Sequence, residues 1–261
     1  MGVADAPASA ASAGDRAPAS ELPSAQPGDE PGAVVERYAR RQANAGAAPD
    51  RYNLLQPDVW QTVQERQRVM LRLFSALNLH PLSRLRVAEV GCGAGGNLLE
   101  LLRMGFSAER LAGAELLPER MAQARRVLPA DVALWQGDAS RWAVRPGSQH
   151  IVLQSTVFSS LLDRDFQQCL ADAMWSWLMP GGGVLWYDFT VDNPRNPDVK
   201  GVPLKRLREL FPHARMRHRK LTLAPPIARA VCRIHPSLYP LFNALPALRT
   251  HVLAWLEKPA P

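Results

Sequence analysis

Between positions 89 and 97 the chain gathers residue types that hold a nucleotide-like ligand. They are Glu89, Gly91, Cys92, Gly93, Gly95 and Asn97, within the run VAEVGCGAGGNLLELL. Glycines let a backbone turn sharply and come close to a ligand. The free N–H groups that open a helix attract ligand oxygens. Glu115 follows about 20 residues later, the separation at which an acidic residue meets ribose hydroxyls in such sites. A carboxylate suits that task because it can accept from two hydroxyls at once. Gln154, Asp138 with Ala139, and Asp188 with Asp192 close further apolar runs in the same manner.

These residues need elements to position them. Residues 87–90 are mostly apolar and rich in β-branched residues, as a central parallel strand requires. Leu98, Leu99, Leu101 and Leu102 then recur at helical spacing. The pattern predicts further strands at 111–115, 132–136, 151–154 and 184–189, and helices at 118–128 and 163–178. Pro118 suits a first helical turn, where its missing N–H costs nothing. The Pro180–Gly183 run acts as a breaker. Strict strand–helix alternation implies a parallel sheet with right-handed crossovers. The end of the chain departs from this, with a helix at 203–211 and strands at 214–223 and 250–257. An apolar, proline-broken insert separates those two strands at 224–248. Two final strands without a standard crossover suggest an antiparallel hairpin at the sheet edge.

Upstream, residues 1–32 are Ala, Pro, Ser, Gly and acids, a composition expected to stay disordered. Residues 33–80 form a helical lid segment in this reading. It holds a short helix at 34–42 and a longer one at 59–77, with Asp58 as a plausible N-cap. Tyr38, Tyr52 and Arg66 lie there, either as ligand contacts or as packing residues. Residues 81–261 form the main domain.

Composition narrows the class. The 261 residues are 47% hydrophobic and 21% charged, enough for one large α/β domain. Three cysteines at wide spacing argue against a disulfide framework or a zinc site and fit a reducing cytoplasm. No apolar run is long enough to span a bilayer, and the start lacks the pattern of a secretory signal. The net charge of +7 and pI near 9.8 admit anionic partners without selecting one.

Two turns fit the glycine run. Gly91, Gly93 and Gly96 match the G-x-G-x-x-G of dinucleotide sites. Glu89, Gly91, Gly93 and Gly95 match the acidic-x-G-x-G-x-G turn of S-adenosylmethionine (SAM) dependent methyltransferases. A glycine turn holding no ligand is the third reading. The wider pattern resembles a class I SAM-dependent methyltransferase over about residues 50–257. Beyond the glycine turn, the resemblance rests on Glu115, on Gly137-Asp138-Ala139, on Pro180–Gly183 and on the late hairpin. It implies a Rossmann-like, doubly wound, seven-stranded sheet, mostly parallel with a C-terminal antiparallel hairpin. It also implies S-adenosylmethionine as cofactor. Glu89, Gly91, Cys92, Gly93, Gly95 and Asn97 would line its methionine part. Glu115 would take the ribose, Leu116 the adenine face, and Asp138 and Ala139 the adenine edge, with Gln154 in the floor. For Asp138, a turn-forming Asp after Gly is the bland alternative.

The segment 187–201 is similar to methyltransferases found with bacterial polysaccharide and lipopolysaccharide biosynthesis. A sugar, glycan or other small-molecule acceptor follows, with Asp188 and then Asp192 as the base for an alcohol. A loop-ordering role for Asp188 competes evenly. Asp192, Asn193, Asn196 and Asp198 are hard oxygen donors, but their prolines read equally as a rigid turn and no metal is expected. His150 falls at the wrong end of its strand, and His213, His218, His235 and His251 are unplaced. The basic cluster at 205–220 is either a contact for an anionic or lipid-linked acceptor or a solvated face. The insert 224–248 either caps the acceptor pocket at a membrane surface or is ordinary core. An RNA methyltransferase and a SAM-binding protein without turnover are the rival functions. DNA is not expected as a partner.

Overall fold

The computed structural model describes residues 29–44, 53–194 and 196–260. Seven strands form one sheet in the order β3-β2-β1-β4-β5-β7-β6. The strands are β1 (Val87–Val90), β2 (Leu111–Glu115), β3 (Ala133–Gln136), β4 (Gln149–Ser155), β5 (Leu178–Phe189), β6 (Arg215–Leu223) and β7 (Arg249–Glu257). The first five pair in parallel. β7 runs antiparallel to β5, and β6 antiparallel to β7. The strand order reverses between β1 and β4, and ligands bind at such a reversal, beyond the carboxyl ends of the strands.

The helices are α1 (Glu30–Asn44), α2 (Pro57–Ala76), α3 (Gly96–Met104), α4 (Pro118–Val127), α5 (Arg164–Trp177), α6 (Leu204–Leu210), α7 (Pro225–Ile234) and α8 (Leu238–Asn243). Side chains alternate across the sheet, so each strand feeds two cores. Val87, Leu185, Tyr187, Leu253 and Trp255 pack with Val69, Met70 and Phe74 of α2 and with α3. Val90, Val152, Val184, Trp186 and Val252 pack with α5, α6 and Val34 of α1. The segment expected as a single lid therefore splits. α2 covers one face of the sheet and α1 the other.

Several local expectations change. Gln56, not Asp58, is the N-cap of α2, and Asp58 lies in its first turn, where an acid favours the helix dipole. α1 begins at Glu30, inside the stretch expected to be disordered, because the Glu30 carboxylate has partners in the fold. It accepts from Arg37 and from the Leu162 N–H. Residues 1–28 and Tyr52 lie outside the described residues. The Pro180–Gly183 run does not separate helix from strand, since β5 already starts at Leu178. Gly183 lies within β5, and only glycine fits there because the Trp255 indole occupies the place where a Cβ would stand. The insert folds as α7 and α8 around a small core of Leu223, Ala228, Val231, Cys232 and Tyr239.

Candidate functional site

The turn between β1 and α3 takes the backbone through φ of +65° at Gly91, +56° at Gly93 and +86° at Gly95. At Gly91 the requirement is also steric, since a Cβ there would stand 2.5 Å from Val157 Cγ2. The Cys92 N–H donates to Ala114 O at 2.9 Å, while its thiol is buried against Gly113 and Leu98. Burial pushes that thiol up from its ordinary pKa, so Cys92 faces a ligand only through its backbone.

Glu115 ends β2 beside this loop and is 5% exposed. Its Oε2 accepts from the Gly93 N–H and its Oε1 from the Leu117 N–H, both at 2.8 Å. The carboxylate thus clamps the glycine loop to the following turn. Its remaining lone pairs stay available for hydroxyl donors.

Glu89 lies under the loop with no solvent exposure. Asn97 Nδ2 donates to its Oε1 at 2.7 Å, and its Oε2 has no partner among the described residues. Burial raises its pKa to about 8, against the hydrogen bond from Asn97 and the charge of Arg66. A buried acceptor without a donor is costly. A ligand ammonium at this point would remove that cost, so the residues fit the amino-acid end of S-adenosylmethionine.

A cleft of about 120 Å³ opens beside Glu115. Its walls include Leu116, Asp138, Ala139, Ser155 and Thr156, with Tyr38 of α1 across from them. Asp138 caps the turn Ala139–Arg141, and its carboxylate accepts from the Ser140 N–H and hydroxyl at 2.8–2.9 Å. Gln154 is fully buried; its Oε1 accepts from the Val157 N–H at 3.1 Å and shapes the turn after β4. α1 is latched over this cleft. Arg37 joins Glu30 and the Ser160 carbonyl, and Arg40 and Arg41 reach Asp198. Tyr38 lies between the guanidinium groups of Arg120 and Arg41, at 4.4 and 4.9 Å from its ring centre.

Asp188 and Asp192 do not meet. Asp188 is fully buried and points to the α5 side of β5. Its oxygens accept from the Ser159 and Phe189 N–H groups at 3.1 and 2.9 Å. Burial lifts its pKa to about 7 despite those bonds. In this placement it orders the turn that supports α1. Asp192 is exposed and accepts from the Gly201 N–H at 2.8 Å, closing its own loop. His150 accepts from the Arg86 N–H at the opposite end of β4. Among the described residues, no group of His, Cys, Asp and Glu could hold a metal.

A second group lies beside these residues; in it the sequence had offered Arg66 as a ligand contact or packing residue and had left His251 unplaced. Arg66 of α2 makes two 3.0 Å bonds to the Glu100 carboxylate and stands 3.5 Å from Ser155 Oγ, in the wall of the cleft. Its guanidinium carbon lies 5.3 Å from the Tyr187 ring centre, and its buried Nε has no partner among the described residues. His251 of β7 stacks on that ring at 5.0 Å and 17°. His251 Nδ1 is 2.9 Å from Thr250 Oγ1, and that hydroxyl itself donates to Thr222 O. Burial, reinforced by Arg66, lowers the His251 pKa to about 4. One signal was legible: Arg66 stands on the half-buried, otherwise apolar side of α2. His251 had none, because only the β5–β7 pairing brings it to Tyr187.

Residues 87–182 match the family model described as a methyltransferase domain. No curated protein matches the chain. Among solved structures, the fold is similar to a SAM-dependent methyltransferase from Archaeoglobus fulgidus. The two are 12% identical, with 74% of this chain and 94% of that one covered, at a TM-score of 0.53. A SAM-dependent methyltransferase from Thermotoga maritima, described as a possible histamine N-methyltransferase, is 14% identical. That match covers 87% of this chain and 99% of the other, at a TM-score of 0.52. The phosphoethanolamine N-methyltransferase 2 of Haemonchus contortus, in complex with phosphomonomethylethanolamine and S-adenosylhomocysteine, is 16% identical. There 76% of this chain covers 53% of the other, at a TM-score of 0.54. The domain match and the fold agree with the clamped glycine loop: residues 87–182 carry a methyltransferase domain, on a fold shared with SAM-dependent methyltransferases.

Proposed function

We propose that the protein methylates a hydroxyl of a sugar, glycan or other small molecule, of the kind assembled into bacterial polysaccharide and lipopolysaccharide, with His251 receiving the proton. The cofactor, when bound, supplies a methyl group already activated by a sulfonium. The supporting observation is the imidazole of His251, which stacks on Tyr187; Arg66 lies over that ring and reaches Ser155 in the cleft wall. A hydroxyl becomes strongly acidic only as its oxygen gains the methyl, so a weak base held in position is sufficient. A pKa near 4 keeps this imidazole unprotonated throughout the physiological range.

Arg66 is held in place by its two bonds to the Glu100 carboxylate, which offsets its charge. Tyr187 is tied by its hydroxyl to Thr222 at 2.8 Å, which holds the ring as a flat wall. The three free cysteines fit a reducing cytoplasm.

The test is transfer of tritiated methyl from S-adenosylmethionine to a panel of nucleotide sugars, lipid-linked saccharides, amines and RNA. Label in a base-stable ether on a hydroxyl acceptor is the expected result. His251→Ala should lower kcat about a hundredfold or more while S-adenosylhomocysteine affinity is retained. Label confined to amines or RNA, or an unchanged kcat in the variant, would sink the reading.

A further inference from the structure

The insert that carries α7 and α8 has a definite place in the molecule. β6 and β5 are both antiparallel to β7, so they run the same way. The insert leaves the carboxyl end of β6 and therefore stands at the end of the sheet where the glycine loop and cleft lie. It is fastened to the first half of α2. Gln61 Nε2 donates to the Pro236 carbonyl, and Thr62 meets the Tyr239 hydroxyl at 3.2 Å. The Glu65 carboxylate accepts from Tyr239 at 3.0 Å, from Asn243 Nδ2 at 2.6 Å and from the Thr222 N–H at 3.0 Å. The next residue, Arg66, reaches Ser155 in the cleft wall at 3.5 Å. The insert is thus a rigid platform beside the acceptor side of the site.

Its outer surface is unusual for a protein in water. Ile234 is 78% exposed, Leu241 65%, Leu245 56% and Phe242 37%. Leu55, at 88%, and Trp60, at 43%, are also exposed at the start of α2, the helix on which the insert packs. Several exposed large apolar side chains on one small unit mark an interaction face. Residues 224–248 contain two arginines, Arg229 and Arg233, and no Asp or Glu. Both arginines are exposed on α7, on the side opposite its buried Ala228, Val231 and Cys232.

Charge chooses the occupant. Two copies joined by this face would set arginine against arginine. An anionic bilayer complements both features, with apolar side chains entering the headgroup boundary and arginines at the phosphates. We propose that the 224–248 platform and the start of α2 dock on an anionic membrane surface, so that the cleft meets an acceptor carried by a lipid. Only the lipid-linked acceptor rests on the hydroxyl reading above; the docking itself does not.

The experiment is flotation of the full chain, saturated with S-adenosylhomocysteine, with two kinds of vesicle. One is phosphatidylcholine alone and the other an equimolar mixture with phosphatidylglycerol. The protein should float with the mixed vesicles and not with phosphatidylcholine alone. Arg229→Gln with Arg233→Gln should weaken binding about thirtyfold. Leu241→Ser with Phe242→Ser should abolish it, and S-adenosylhomocysteine affinity in both variants shows that they fold. Failure of the wild type to float, or flotation of the Leu241/Phe242 variant like wild type, overturns the proposal. So does a wild-type dimer in sedimentation that this variant dissociates. Vesicle binding without methylation of any saccharide would refute the acceptor reading and leave the docking intact.

Discussion

Glu89 offers a test of the cofactor site that needs no acceptor. Its carboxyl is buried, one oxygen is held by Asn97, and the other has no partner among the described residues. Burial raises its pKa from 4.5 to about 8. A folded pKa above the unfolded one means stability that is full below about pH 4.5 and is lost as pH rises to about 8. Each unit is worth about 1.4 kcal/mol, so the loss over the whole window is on the order of 5 kcal/mol. Glu89→Gln keeps the shape and cannot ionise. Asp188, whose raised pKa acts in the same direction, contributes equally to both proteins and cancels. Urea unfolding of the ligand-free proteins between about pH 5 and about pH 8 should show the variant gaining about 4 kcal/mol over wild type. S-adenosylhomocysteine should show the reverse preference. Its ammonium favours the ionised carboxyl, so wild-type affinity should rise with pH through this range, while the variant binds weakly throughout. Parallel unfolding curves, or equal ligand affinity in the two proteins, would refute the idea that Glu89 stores this cost for the cofactor.

Two further outcomes follow from the geometry. Gly91→Ala forces a Cβ onto Val157 at φ +65°, and should abolish the thermal shift given by S-adenosylhomocysteine while the protein still folds. Arg37→Ala leaves the Glu30 carboxylate without its cation and frees the Ser160 carbonyl. α1 should then exchange its amide hydrogens faster, and calorimetry should show S-adenosylhomocysteine affinity falling by about tenfold. Unchanged exchange in residues 30–44 would show that this latch does not hold α1.

Local pattern carried the architecture. The mostly apolar run at 87–90, the glycines and the leucines after them state strand, turn and helix within sixteen residues, because each period is set by neighbouring side chains. The alternation along residues 87–189 and its break at the final hairpin were legible for the same reason. The closeness of Glu115 to the glycine loop also follows from local order, since consecutive parallel strands bring their carboxyl ends together. Boundaries were less legible where a distant residue decides them. Trp255 leaves room for only glycine at position 183 in β5, and the carboxylate of Glu30 finds its donors on Arg37 and Leu162.

What tertiary structure alone decided is which side chains share the site. The alternation in β5 sends Asp188 to the α5 face and Tyr187 to the α2 face, and the direction of a single Asp is not marked by its neighbours. Arg66, Tyr187 and His251 come from α2, β5 and β7, and they meet only because β7 inserts between β5 and β6. Contacts between residues so far apart in the chain leave no periodic trace. The sequence by itself therefore determined the fold and the cofactor loop. The stack of His251 on Tyr187 beside Arg66, the split of α1 from α2 and the packing of the 224–248 insert on α2 exist only once the sheet is assembled.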